Sequence, residues 1–285
     1  MQKKSKIINE PPEVSKTANS EEYAIIVDNI WKTYKIPIER HYKLHQQITS
    51  LITRRNRGYR YIEVFKGISF KVRKGETLGI IGDNGTGKTT LLKILAGIIF
   101  PDKGVVDVRG KILPIIGLGV GFDYSFKAEE NIFLYGTLLG LPHQQIKEKI
   151  PEIFEFSGLN EFRGMKFRNY SSGMKLRLAF AVAIQCDPDI FLFDEVIAVG
   201  DQNFKEKCFE KIDNYIQRKK TIVLVSHGLF MIKKICKHAI WLNEGKIASY
   251  GKSEKVIEDY KEYGNKKGKL PVKKEKSVAI EKIKG

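Results

Sequence analysis

Residues 77–97 read TLGIIGDNGTGKTTLLKILAG, and the order of their parts decides the fold. A short apolar run, TLGII, has the length and β-branched content of a buried strand. A glycine-rich turn follows, and then TTLLKILAG, whose leucines recur at helical spacing. Gly82, Gly87, Lys88 and Thr89 satisfy G-x-x-x-x-G-K-[ST], the spacing of a phosphate-binding loop between a strand and a helix. In such a loop the backbone N–H groups of Gly82, Asp83, Asn84, Gly85, Thr86 and Gly87 cradle phosphates, and Lys88 reaches the outer phosphates. The Thr89 hydroxyl holds Mg²⁺, and Thr90 extends the cradle into the helix. A second glycine run, GLGVG at 117–121, lacks the G-x-G-x-x-G spacing of a dinucleotide site.

Outward from this loop the chain predicts an α/β fold. AIIVDNIWKTY is a first strand, and ISFKV precedes TLGII across the turn RKGE. VVDV and KILPII, separated by a glycine, predict a β-hairpin. Residues from about 123 to 185 show helical patterning and predict an inserted helical subdomain. DIFLFDE and TIVLVSH are short apolar runs ending in polar groups, the pattern of buried parallel strands with functional residues at their carboxyl ends. HAIWLNEGKIASYG predicts a closing hairpin, and SEKVIEDYKEYG a helix. These pieces bound one domain over 21–260, preceded by a polar, proline-containing arm at 1–20 and followed by a basic tail at 261–285. Between the first two strands, at about 38–60, Leu44, Ile48, Leu51 and Ile52 recur at helical spacing among basic residues, which predicts an amphipathic basic insertion.

With 285 residues, 42% of them hydrophobic, the chain can bury a large core, and no apolar run approaches the roughly 18 residues of a membrane span. Cys186, Cys208 and Cys236 are odd in number and widely spaced, which fits a reducing compartment rather than a disulfide framework. Cys236 and His238 have no second ligand pair near them in sequence, so no protein-only metal site is expected. The formal charge is +17, and residues 35–60 and 261–285 each contribute +6 of it. Such patches fit an anionic surface or nucleic acid, and equally a solvated helix and a solvated tail.

Two further places carry chemistry. Asp194 and Glu195 end the run IFLFDE, with Asp194 placed to hold Mg²⁺ and Glu195 to orient and deprotonate a water; His227, after TIVLVS, is placed to contact the terminal phosphate. NYSSGMKLRLAF, at 169–180, opens a second helix with Ser171, Ser172 and Gly173. A helix start leaves about four N–H groups without intrahelical partners and carries partial positive charge, so it too is suited to a phosphate.

GDNGTGKTT, YSSGMKLR, IFLFDE, VGD at 199–201 and SH at 226–227 occur in the order found in the ATP-binding subunits of ABC transporters, and over about residues 24 to 250 the chain resembles that family. The resemblance implies a P-loop NTPase with a mixed RecA-like core, an antiparallel β subdomain and an inserted α-helical subdomain, binding and hydrolysing ATP with Mg²⁺. It implies that Tyr34 stacks on adenine, that Ser171, Ser172 and Gly173 form the signature loop, and that Asp201 belongs to the loop linking two nucleotide sites. It also implies a head-to-tail homodimer in which YSSG of one subunit caps the γ-phosphate bound by GDNGTGKT of the other.

YSSGM in place of the usual LSGGQ, together with RLAFAVA, DPDI, DEVIAVGD and F-x-x-K-C, is similar to the subfamily that exports lipid-linked polysaccharides: O-antigen, capsule and teichoic acid. Val196 stands where the family has a proline, and Gly117 where it commonly has a glutamine, which leaves the role of that loop unassigned. By this resemblance the subunit sits on the cytoplasmic face of the plasma membrane and drives a separate membrane-spanning permease that exports a polyprenyl-linked polysaccharide, O-antigen or capsular; a teichoic acid is the alternative. Only a short basic tail follows the ATPase region, so recognition of a sugar cap by this chain is not expected. Soluble members acting on ribosomes or DNA usually carry tandem ATPase domains or long coiled-coil insertions; neither occurs here, and no nucleic-acid partner is expected.

Overall fold

The computed structural model describes residues 20–37, 59–195 and 201–266. Nine strands lie in two sheets among these residues. The smaller sheet is antiparallel in the order β2-β1-β4, built from β1 (Tyr23–Pro37), β2 (Tyr59–Arg73) and β4 (Lys103–Val108). The larger runs β5-β6-β7-β3-β8-β9, from β3 (Thr77–Ile81), β5 (Ile112–Ile115), β6 (Ile190–Asp194), β7 (Thr221–Val225), β8 (His238–Asn243) and β9 (Lys246–Lys252). All its neighbours pair parallel except β8 with β9.

Side-chain alternation explains the layers. Ile190 and Leu192 of β6, Val223 and Val225 of β7, and Leu78 and Ile80 of β3 face one core with α1 (Lys88–Leu95) and the smaller sheet. Phe191, Phe193, Ile222 and Leu224 face a second core with the remaining helices. These are α2 (Ala128–Leu138), α3 (His143–Ser157), α4 (Ser172–Ala183), α5 (Gln202–Gln217), α6 (Leu229–Ile235) and α7 (Ser253–Lys266). The central strands are buried on both faces, which is why they read as unbroken apolar runs.

Three expectations change in detail. VVDV and KILPII do not form a hairpin: β4 pairs antiparallel with β1, whereas β5 pairs parallel with β6 in the other sheet. The chain crosses between sheets at Gly110 (φ 123°), and the Asp189 carboxylate accepts the Lys111 N–H at 2.8 Å to fix the crossing. The basic insertion at about 38–60 lies outside the described residues up to 58. Its last two residues, Tyr59 and Arg60, are strand, and Pro37 pairs with Tyr59, so the intervening segment leaves and re-enters at paired strand ends. The last helix runs to Lys266, past the boundary expected at 260, because Tyr263 as well as Tyr260 packs on Trp241. The arm at 1–19 and the tail from 267 lie outside the described residues. Among the described residues no helix is long and apolar enough to cross a membrane.

Candidate nucleotide site

Strands β6, β7 and β3 are adjacent and parallel, so their carboxyl ends open on one edge of the sheet. Each ends in a residue group that carries chemistry: β3 in the glycine loop, β6 in Asp194 and Glu195, β7 in Ser226 and His227. From these three strand ends Asn84, Gly85, Gly87, Lys88, Thr89, Thr90, Asp194, Glu195 and His227, together with Val64, line a cavity of about 410 Å³.

The loop's shape follows from its glycines. Gly82, Gly85 and Gly87 have φ of 151°, 79° and 95°. At Gly82 a Cβ would lie 2.5 Å from the Leu242 carbonyl oxygen, and at Gly87 2.5 Å from Val64 Cγ1. Gly87 caps α1 without a side-chain hydrogen bond, so the first-turn N–H groups stay available to an anion. Gly82→Ala should therefore lose nucleotide binding and destabilise the fold by about 2 kcal/mol or more, the strained φ adding to the clash with backbone. Thermal unfolding and ATP titration of the same preparation check this.

Lys88 is buried, and its Nζ donates to the carbonyls of Gly82 and Asp83 at 2.9 Å each. Burial holds its pKa below the usual lysine value, against the opposing pull of Glu195, Asp194 and Asp83. Its two hydrogen-bond acceptors are neutral carbonyls, and a phosphate oxygen would add the charged acceptor that makes the stronger bond to an ammonium. Opposite Lys88, His227 Nε2 lies 2.7 Å from Glu195 Oε1. Glu195 has φ 55°, a left-handed conformation uncommon outside glycine, and its N–H donates to the Val225 carbonyl at 3.0 Å. Thr89 and Asp194 line the same cavity, and a hydroxyl with a carboxylate is a hard-oxygen pair of the kind Mg²⁺ takes from protein while phosphates and waters complete its shell.

The residues expected to form the signature loop lie elsewhere. Ser171, Ser172 and Gly173 are not among the cavity's lining residues. Ser171 caps α4, its Oγ accepting the Met174 N–H at 3.1 Å, and Ser171 and Ser172 are exposed. Arg177 on the next turn lies 3.4 Å from Asp201, which caps α5 by accepting the Phe204 N–H at 2.9 Å. Tyr34 is also outside the lining. It pairs with Ile62 near a register shift that leaves Val64 as the extra residue on β2, a bulge that turns Val64 toward the cavity. Gly117, with φ 63°, sits in a turn whose carbonyl accepts the Val120 N–H at 3.4 Å. His238 faces Glu76 at 2.6 Å, and the three cysteines are buried free thiols.

Sequence reasoning missed Val64, Tyr260 and the Arg177–Asp201 pair. Val64 had no motif to mark it; only strand register brings it to Gly87. The hydroxyl of Tyr260 donates to Asp83 Oδ1 at 2.8 Å across 177 residues, a distance no local pattern spans.

Comparison with known proteins agrees with this geometry. The family model described as ABC transporter matches residues 65–198. The chain is 41% identical to an O-antigen export system ATP-binding protein RfbB of Klebsiella pneumoniae, over 72% of this chain and 83% of that protein. It is 36% identical to the teichoic acids export ATP-binding protein TagH of Bacillus anthracis, over 92% of this chain and 46% of that one. An RfbB of Myxococcus xanthus is 42% identical over 73% of this chain and 48% of its own length. The chain thus spans about half the length of the last two relatives. Among solved structures, a dimeric ATP-binding cassette in a post-hydrolysis state with ADP and Pi superposes with a TM-score of 0.63 at 22% identity, covering 80% of this chain and 98% of that one. That likeness shows the fold.

Proposed function

Since the chain belongs to the ABC transporter ATP-binding family, we propose that it is the ATP-hydrolysing subunit of an exporter for a polyprenyl-linked polysaccharide, O-antigen or capsular. It works as a homodimer against a separate membrane-spanning permease, on the cytoplasmic face of the plasma membrane. The observation that carries the reading is the single cavity into which Lys88, Thr89, Asp194, Glu195 and His227 converge from three adjacent strand ends.

In this reading the glycine loop and the start of α1 hold the phosphates, and Lys88 neutralises the outer ones. Thr89 and Asp194 hold Mg²⁺, which draws charge from the phosphate oxygens when bound. Glu195 accepts the proton of the attacking water. His227, hydrogen-bonded to Glu195, holds both that carboxylate and the terminal phosphate in place. Tyr34 stacks on adenine from the β1–β2 ribbon. Ser171, Ser172 and Gly173 serve the partner subunit's nucleotide, a reading supported by their absence from the lining of their own chain's cavity and the exposure of Ser171 and Ser172, and Asp201, tied to Arg177, links the two sites.

A second reading, export of a teichoic acid, is favoured by the longer alignment: the TagH relative matches 92% of this chain, against 72% for the Klebsiella RfbB. Both readings predict the same experiment. A strain lacking this chain should accumulate its polyprenyl-linked glycan inside the membrane and lose it from the surface. The parent chain, but not Lys88→Ala, should restore export. The polymer that accumulates decides between the readings, and unchanged surface glycan in the deletion strain would overturn both.

A further inference from the structure

Asp83 is an acid inside a loop suited to hold anions, and its carboxylate has to be kept from the phosphates. Its backbone already works for the loop, accepting from Lys88 Nζ and from Thr86 Oγ1, each at 2.9 Å. Its side chain is engaged from behind, by the Tyr260 hydroxyl at 2.8 Å. Tyr260 is itself held: its ring meets Trp241 edge-on at 5.7 Å, and Trp241 meets Tyr263 at 4.9 Å. Asn243 donates to the Tyr263 hydroxyl at 3.2 Å, and Ser249 to Asp259 at 2.7 Å. Trp241 and Leu242 are successive residues of β8, and the Leu242 carbonyl presses on Gly82. The closing hairpin and α7 therefore grip consecutive loop residues, Gly82 by contact and Asp83 by a hydrogen bond.

We propose that Tyr260 is a positioning residue of the nucleotide site: its hydroxyl anchors the Asp83 carboxylate behind the phosphate loop and leaves the Lys88 ammonium to ATP. The proposal rests on reading Gly82–Thr89 as the phosphate loop. An unanchored carboxylate would compete with phosphate for Lys88, whose ammonium Asp83 already attracts, and would repel the incoming anion. Burial, and then the bond to Asp83, pushes the Tyr260 phenol up to about 12, so it remains a proton donor throughout the physiological range.

The test is a double-mutant cycle on ATP affinity, measured by displacement of a fluorescent ATP analogue from the full chain in the Glu195→Gln background. Tyr260→Phe keeps the ring on Trp241 and removes only the hydroxyl. It should weaken ATP binding about three- to ten-fold, the range of one lost hydrogen bond. Whatever the affinity of Asp83→Ala itself, adding Tyr260→Phe to it, where no carboxylate is left to restrain, should change ATP affinity no further. A merely structural role for Tyr260 predicts the same loss with or without Asp83, and that result, or no loss at all, would overturn the proposal. A parent chain that binds no ATP would overturn the phosphate-loop reading and this proposal with it.

Discussion

Glu195→Gln should leave nucleotide binding intact while lowering ATP turnover about 10²- to 10⁴-fold, the usual contribution of a positioned base. The amide keeps the size of the carboxylate and a hydrogen-bonding oxygen, so the pairing with His227 can persist. Gln also replaces Glu at φ 55° with no new backbone penalty, since both side chains are unbranched at Cβ and Cγ. What is lost is the group proposed to accept the water's proton. Steady-state phosphate release and ATP titration on the same sample separate the two effects. A variant that keeps more than half of the parent's turnover would show that another group is the base, and His227 would be the next to examine.

Much of this site is legible in the sequence, for a physical reason. A phosphate loop needs glycines where side chains would collide, and those collisions are visible at Gly82 and Gly87. Buried parallel strands need apolar residues on both faces, which makes IFLFD and TIVLV stand out, and ligand-binding residues of such sheets lie at the carboxyl ends of strands. Which sheet a strand joins is not legible in the same way. VVDV and ILPI have ordinary strand composition, and their separation into two sheets depends on partners about 80 residues away on each side, β1 before and β6 after. The Tyr260–Asp83 bond is hidden for the same reason: tyrosine in an amphipathic helix reads as packing, and its hydroxyl's partner is fixed only by tertiary structure. Ser171 is an instructive middle case. Its cap on α4 follows from local sequence, but the absence of Ser171–Gly173 from their own cavity's lining is a fact of the assembled fold.

That last fact leads to the second large effect, and to the most direct test of a site shared between two copies of the chain. One copy carries Lys88→Ala, which strips the phosphate loop of its cation. The other carries Ser171→Arg, which obstructs the exposed helix start by bulk and removes its cap at a cost of about 1 kcal/mol. Thermal unfolding of each variant checks that it remains folded. Both also carry Glu195→Gln, so that occluded ATP is counted rather than turned over. Each homodimer then has two damaged sites. If Ser171 of one subunit completes the Lys88 site of the other, the mixed dimer gathers both lesions into one site and leaves the second with an intact Lys88 and an intact Ser171. The measurement is tightly bound ATP per dimer in the three well-folded species. The predicted result is up to one ATP in the mixed dimer and almost none in either homodimer; near-zero occlusion in all three would contradict the shared site.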